Sequence, residues 1–386
     1  MKCVALRDDA PALALRGIAM AQLGDLARAK ALVRRAARAF GPREAVARAK
    51  CVVAEAEIAL VSRDLSWPAK TLDSARATLE THGDRVNAAH ARYLGVRRFL
   101  LIGRLDEAER LLADLDPTRL TPALRTAHEL VVAGIAMRRL QTKAARAALA
   151  RATHAAQHAR IPALLAEVET AAHVLNTPAA RLIAHGSERL LLLDEVEALL
   201  ASNAFVVDAC RHVVRHAGVV ISLATRPVLF ALARAIGEAW PGDVTRDRLV
   251  ARAFGGRDAD ESHRARLRVE IGRLRRILRA IASVSATKGG FALMPRHARE
   301  VVVLTRPIEH EHATVLALLA DGESWSSSAL ALALGSSQRS VQRALDSLAA
   351  AGKVQSFGGG RSRRWITPPL PGFTTTLLLP APLPIE

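Results

Sequence analysis

Residues 258–293 read DADESHRARLRVEIGRLRRILRAIASVSATKGGFAL. Leu267, Ile271, Leu274 and Leu278 recur at the spacing of one helical face, about 3.6 residues per turn. Ser262 is placed to cap the start, and Arg275, Arg276 and Arg279 fall in the last turns, where the helix dipole favours cations. Opposite the apolar stripe lie Ala265, Val269, Gly272 and Arg276, with Arg266, Arg268, Arg273 and Arg279 on the shoulders. An apolar back, small residues in front and arginines at the sides suit a DNA major groove. The small residues allow close approach, and guanidinium groups reach phosphates or guanine edges. Beyond the helix, residues 283–286 and 291–293 flank Thr287-Lys288-Gly289-Gly290, a short hairpin with one cation at its tip.

The chain has 386 residues, enough for two to four units. Half of it is apolar and aromatics are scarce, which favours helix over sheet. A formal charge of +18 calls for an anionic partner. Residues 205–296 hold 17 Arg and Lys against 8 Asp and Glu, and seven arginines stand with one glutamate between Arg264 and Arg279. A general compositional bias would not concentrate charge in this way. Cys3, Cys51 and Cys210 are odd in number and show no ligand spacing, so neither disulfides nor a structural zinc site is expected. No run approaches the roughly 18 apolar residues of a membrane span, and the N-terminus lacks the apolar core of a signal peptide. The expectation is a cytoplasmic protein with no membrane contact.

Residues 1–204 read as paired helices. Gly17, Gly24, Ala29 and Ala36 supply small side chains where two helices must pack closely, Gly103 and Ala108 repeat the Gly24–Ala29 spacing, and Gly134-Ile135-Ala136-Met137 duplicates Gly17-Ile18-Ala19-Met20. The pattern resembles a degenerate tetratricopeptide solenoid of roughly five or six helix pairs. Such repeats carry no chemistry of their own, but would bind a protein or small-molecule effector, or form a homodimer. His154 and His158 share a helical face without a third ligand, so no metal is expected.

Ser187–Ser202 reads as one more helix. Short β-rich runs at 205–208, 212–214 and 219–223 then form a small meander, followed by helices over Arg226–Glu238 and Thr245–Phe254. With the helix and hairpin quoted above, residues 205–293 of a domain spanning 205–296 resemble the winged-helix output domain of the bacterial OmpR/PhoB-type response regulators. The resemblance rests on RPVLFALARAIGEAWPGDVTRDRLVARAF, VEIGRLRRIL and the KGGFAL hairpin. It implies a recognition helix in the major groove and a hairpin wing on the adjacent backbone. Arg273 and Arg275 match basic positions of that helix, and Thr287 and Lys288 match the wing. Glu270 and Gly272 depart from the His and Arg of the best-known members, so base preference does not carry over. Helical repeats stand where those regulators have a receiver domain.

Residues 297–307 read as a link. Helices over Ile308–Ala320, Ser327–Leu334 and Ser337–Ala351 follow, then strands over Lys353–Phe357 and Arg364–Thr367 around a basic Gly-rich turn. This order is similar to a second winged helix of the broad MarR/GntR/DeoR-like group. On its third helix Val341, Leu345 and Leu348 would point inward. Arg339 and Arg343 would point outward, with Ser340 and Gln342 on the flanks, and Gln and Arg there suit base reading. Arg361, Arg363 and Arg364 suit phosphate contacts. The last stretch, 368–386, is a proline-rich tail.

The fold class expected is therefore mainly α: a helical-repeat solenoid, two tandem winged helix-turn-helix domains and small β-hairpins. No phosphate-binding G-x-x-x-x-G-K-[ST], zincin motif or nucleophile elbow is present, so neither an enzyme nor a cofactor is expected. The function expected is sequence-specific binding of double-stranded DNA by a transcriptional regulator. A replication initiator with two winged helices and an interaction scaffold without DNA binding are the alternatives.

Overall fold

The computed structural model describes residues 7–65, 68–254, 261–307, 312–319, 324–358, 360 and 363–367. They form a mainly helical chain with small sheets and fall into two compact units. One unit takes Met1–Arg139, Lys143–Val174 and His312–Glu386; the other takes Leu140–Thr142 and Leu175–Glu311.

Among its described residues the first unit begins with nine α-helices: α1 (Ala10–Gln22), α2 (Leu26–Ala39), α3 (Ala45–Val61), α4 (Ala69–Thr81), α5 (Arg85–Leu101), α6 (Leu105–Ala113), α7 (Pro122–Arg138), α8 (Thr142–Ala159) and α9 (Pro162–Val174). Side chains cap several starts: Asp9 accepts from the Ala12 amide, Asp25 from Arg28 and Asp84 from Asn87. Small residues let α1 and α2 touch. Ala29 and Ala36 are fully buried, and a Cβ on Gly17 would lie 2.6 Å from Val33 Cγ2. Gly24 does a different job: at φ +85° it closes the α1–α2 turn with open space around it.

The helices expected through residue 204 stop at Val174. In the second unit Ala180–Ala184 (β1) and Ser187–Leu191 (β2) form a hairpin, and only Leu193–Ala201 of the expected Ser187–Ser202 helix is helical (α10). The turn at His185-Gly186, with both φ values positive, marks that hairpin. Then come β3 (Phe205–Asp208), β4 (Val213–His216), β5 (Val219–Ser222), α11 (Pro227–Glu238), β6 (Asp243–Thr245), α12 (Arg246–Phe254), α13 (Glu261–Leu278), β7 (Ala282–Ala286) and β8 (Gly290–Pro295). The span 297–307, expected to be a link, carries β9 (Val301–Thr305).

β9 lies inside a six-stranded sheet of order β2-β1-β9-β3-β4-β5, parallel to β3 and antiparallel to β1. All five of its residues are buried, because the sheet is covered on both faces. Val301 and Val303 join Phe205 and Val207 in the core with α11 and α13, while Val302 and Leu304 join Val206 and Leu182 in a core with α10. A strand buried on both faces reads as a continuous apolar run rather than an alternation. A second sheet has order β6-β8-β7.

The chain then returns to the first unit with α14 (Ala313–Leu319), α15 (Ser327–Leu334), α16 (Gln338–Ala350), β10 (Gln355–Phe357) and β11 (Arg364–Ile366). Of the helix expected over Ile308–Ala320, residues 308–311 and 320 lie outside the described residues, as do Arg361 and the tail 368–386. Val315, Leu319, Trp325, Leu330, Leu345, Leu348 and Trp365 share one apolar cluster with Val53, Leu60, Leu72, Leu79 and Leu94 of α3–α5. The Arg63 guanidinium sits 5.5 Å from the centre of the Trp325 ring.

Candidate nucleic-acid interface

α13 buries the stripe its spacing dictates. Leu267, Ile271, Leu274 and Leu278 are each at most 2% exposed, and each such side chain stabilises by about 1.5–3 kcal/mol. The opposite face is open: Ala265, Gly272 and Arg276 are exposed and Val269 is 54% exposed. Ser262 is not the cap, because the helix already includes Glu261, and the residues before it lie outside the described ones.

The arginines divide by what holds them. Arg264 lies 3.9 Å from Asp247 and from Glu261, Arg268 lies 3.3 Å from Glu261, and Arg273 lies 2.8 Å from Glu270. Arg266 stacks 4.5 Å from the centre of the Phe254 ring. Such exposed ion pairs are worth at most about 1 kcal/mol, so a phosphate competes for these groups easily. Arg276 makes no hydrogen bond or ion pair among the described residues. Arg275 is different. Its Nε donates to the Val284 carbonyl at 2.6 Å and its guanidinium lies 5.8 Å from the Phe291 ring centre, so it fastens the hairpin to the helix.

The hairpin tip is organised from α12 and β6. The Thr287 hydroxyl donates to the Asp243 carboxylate and accepts from the Gly290 amide at 2.8 Å. That hydroxyl therefore staples the turn. Arg246 donates to the Thr287 and Lys288 carbonyls at 3.3 Å each and lies 5.6 Å from the Phe291 ring centre. Lys288 itself is exposed. Arg246 escaped the sequence reading, which took Gly290 only as part of the turn. Nothing in an Arg at a helix start shows that it reaches a turn forty residues on.

In the first unit α16 buries Val341, Ala344, Leu345 and Leu348. Arg339 and Arg343 are exposed, with no hydrogen bond or ion pair among the described residues. Ser340 is occupied at the helix start, where its hydroxyl lies 2.9 Å from that of Ser337 and its amide donates to Ser337 Oγ. Gln342 donates to Asp346 at 2.9 Å. Arg363 donates to Ser356 at 3.1 Å and stacks 4.3 Å from the Trp365 ring centre. Arg364 turns inward, with Nη1 buried and without a hydrogen bond among the described residues, so it is poorly placed for a phosphate.

Buried polar pairs tie α5 to α3 and to α7. His90 Nε2 lies 2.9 Å from Glu57 Oε2. Burial lowers His128 and raises Tyr93, and the Tyr93 hydroxyl lies 2.6 Å from His128 Nδ1. Burial also raises Glu167, against the opposing pull of Arg97 and Arg63. Among the described residues no group of three or more His, Cys, Asp or Glu side chains converges as a metal site. None of the described helices is long and apolar enough to cross a membrane. Burial pushes the Cys51 thiol up to about 12, and burial with Asp208 nearby pushes Cys210 to about 11. A thiol disulfide reagent at pH 8 should therefore modify both slowly in the native protein and promptly in urea. Equal rates in the two states would contradict this burial.

Compared with family models, curated proteins and solved structures, the chain matches none.

Proposed function

We propose that the protein is a sequence-specific DNA-binding transcriptional regulator, with α13 as the reading helix of a winged-helix unit and the β7–β8 hairpin as its wing. The carrying observation is the exposed face of α13, where Gly272 and Val269 leave room and a row of arginines flanks them beside Lys288. In this reading Arg264, Arg266, Arg268, Arg273, Arg276 and Lys288 meet phosphates or base edges, while Arg275 and Thr287 hold the hairpin in place. A fluorescence titration of a labelled duplex against salt tests it. Arg273→Ala, Arg276→Ala and Lys288→Ala together should flatten the log–log salt dependence by about three units, one per contact. An unchanged slope would remove α13 from the groove.

The repeats are the place for an effector or protein partner. A cleft of about 270 Å³ lies between α4–α5 and the α6–α7 connection, with Val86, Leu115, Leu120 and Leu124 beside Arg85, Arg92 and Glu80.

For the C-terminal three-helix unit a second reading has support: its core is shared with α3–α5, so it serves the repeats as a fixed cap. The first reading makes α16 a second DNA reader through Arg339 and Arg343. Arg339→Ala with Arg343→Ala should then lower affinity more than tenfold and shorten the protected footprint, without changing the melting temperature. Wild-type affinity and footprint in that double variant would leave the cap reading standing.

A further inference from the structure

Beside the exposed face of α13 lies an open cleft of about 530 Å³, formed where the start of α11 meets the second half of α13. Val228 and Ile277 line its apolar part, and Arg226, Glu270, Arg273 and Arg276 its polar part. Three cations face one carboxylate. The carboxylate is already matched, because Arg273 holds Glu270 at 2.8 Å. Arg226 and Arg276 are exposed and make no ion pair among the described residues. The start of α11 adds to the same field. No side chain caps it, Pro227 has no N–H, and the Val228 and Leu229 amides have no acceptor inside the helix.

We propose that this cleft seats one backbone phosphate of the bound duplex, gripped by Arg226 and Arg276. The inference rests on the reading of α13 as the DNA-facing helix and adds a residue from a different helix to the contact. Charge decides the occupant: two unmatched guanidinium groups and a positive helix end suit a single anionic group. Position decides its source. Arg273 and Arg276 belong both to the cleft and to the exposed side of α13, so a strand bordering a groove filled by α13 passes over the cleft. The contact is made to the backbone and carries no base information.

The test uses the full-length protein, a duplex carrying its selected site and a scrambled duplex, each titrated across a salt series. Arg226→Ala should weaken binding to both duplexes about tenfold, as loss of a charged hydrogen bond does, and lower the salt slope by about one unit. Arg226→Lys should restore most of the slope. The ratio between the two duplexes should not move. Replacing single phosphates by neutral methylphosphonates should reveal one position that weakens the wild type but not Arg226→Ala. Arg226 makes no side-chain bond at the α11 start, so unchanged circular dichroism is expected of both variants. If Arg226→Ala keeps wild-type affinity and slope while Arg273→Ala or Lys288→Ala alters them, the cleft is not a contact and the DNA reading survives. If the wild type binds neither duplex at low salt, both fall.

Discussion

Gly290→Ala should lower stability by about 3 kcal/mol, the upper range for overpacking a closed site, and abolish DNA binding, whereas Gly272→Ala should leave the fold intact. Both glycines belong to the same unit, and their surroundings are opposite. A Cβ on Gly290 would lie 1.7 Å from the Val244 carbonyl oxygen and 2.9 Å from Thr245 Cα, all of it backbone. No rotamer change relieves such a clash. β6 must move off β8, breaking the register that sets Thr245 against Gly290 and Val244 against Phe291. The loss spreads, since β6 supplies Asp243 to the Thr287 staple and leads directly into α12, whose first residue Arg246 pins the turn. A Cβ on Gly272 meets nothing within 4 Å, so there the higher helix propensity of alanine stabilises by up to about 1 kcal/mol. Gly272→Arg should also fold, yet alter or lose specific binding, because it fills the open centre of the face. Urea denaturation of the three variants with parallel DNA titrations checks all of this. A Gly290→Ala protein with the wild-type midpoint would refute the β6–β8 contact. A Gly272→Arg protein with wild-type site preference would show that this face does not meet the bases.

Trp325→Ala should be about as damaging, at roughly 3–5 kcal/mol for a fully buried aromatic. Trp325 is 1% exposed and its amide and carbonyl pair with those of Trp365 at 2.8 Å. Its ring lies under Arg63 in the cluster that α14–α16 share with α3–α5. The cavity therefore opens in the seam between α3–α5 and the C-terminal elements, and both should melt together at a lower temperature. For a unit of this size the fall is on the order of 10 °C. Hydrogen exchange should show the loss of protection in α3 and α5 as well as in α16. Loss confined to α14–α16 would mean that the C-terminal elements fold independently. The shared core also decides how the C-terminal elements are best probed. Deleting 308–386 would remove Val315, Leu319, Trp325, Leu345 and Trp365 from the cluster they share with α3–α5, so a loss of DNA affinity in that truncation does not separate a lost contact from unfolding. The paired Arg339 and Arg343 substitutions avoid this, because both side chains are exposed.

Which face each candidate reading helix buries was legible from spacing alone. The 3.6-residue period of Leu267, Ile271, Leu274 and Leu278, and that of Val341, Leu345 and Leu348, set which face each helix buries. The opposite faces, and hence the exposure of Arg276, Val269, Gly272, Arg339 and Arg343, follow with no knowledge of what lies behind. Within 205–295 and 324–366 the order of helices and hairpins followed from local stop signals such as Gly335, which ends α15 in a left-handed conformation. Side-chain employment was not legible. Arg275 and Arg276 are neighbours of one chemistry, yet one is fastened to Val284 and the other is unbonded among the described residues, because only the first faces β7. Thr287 likewise looked like any hairpin-tip hydroxyl until β6 brought Asp243 to it.

The sequence by itself determined the periodic faces, the helix-rich class and the concentration of charge on one helix, since each is a property of residues within a few turns of one another. Tertiary structure alone decided three things. It placed Val301–Thr305 inside a sheet rather than in a link, seated α14–α16 on the core of α3–α5, and made residue 290 a position that only glycine fits. Each depends on partners far away in the chain. An apolar run such as VVVLT states that it must be buried, but which strands and helices bury it is settled only when the whole chain competes for the same contacts.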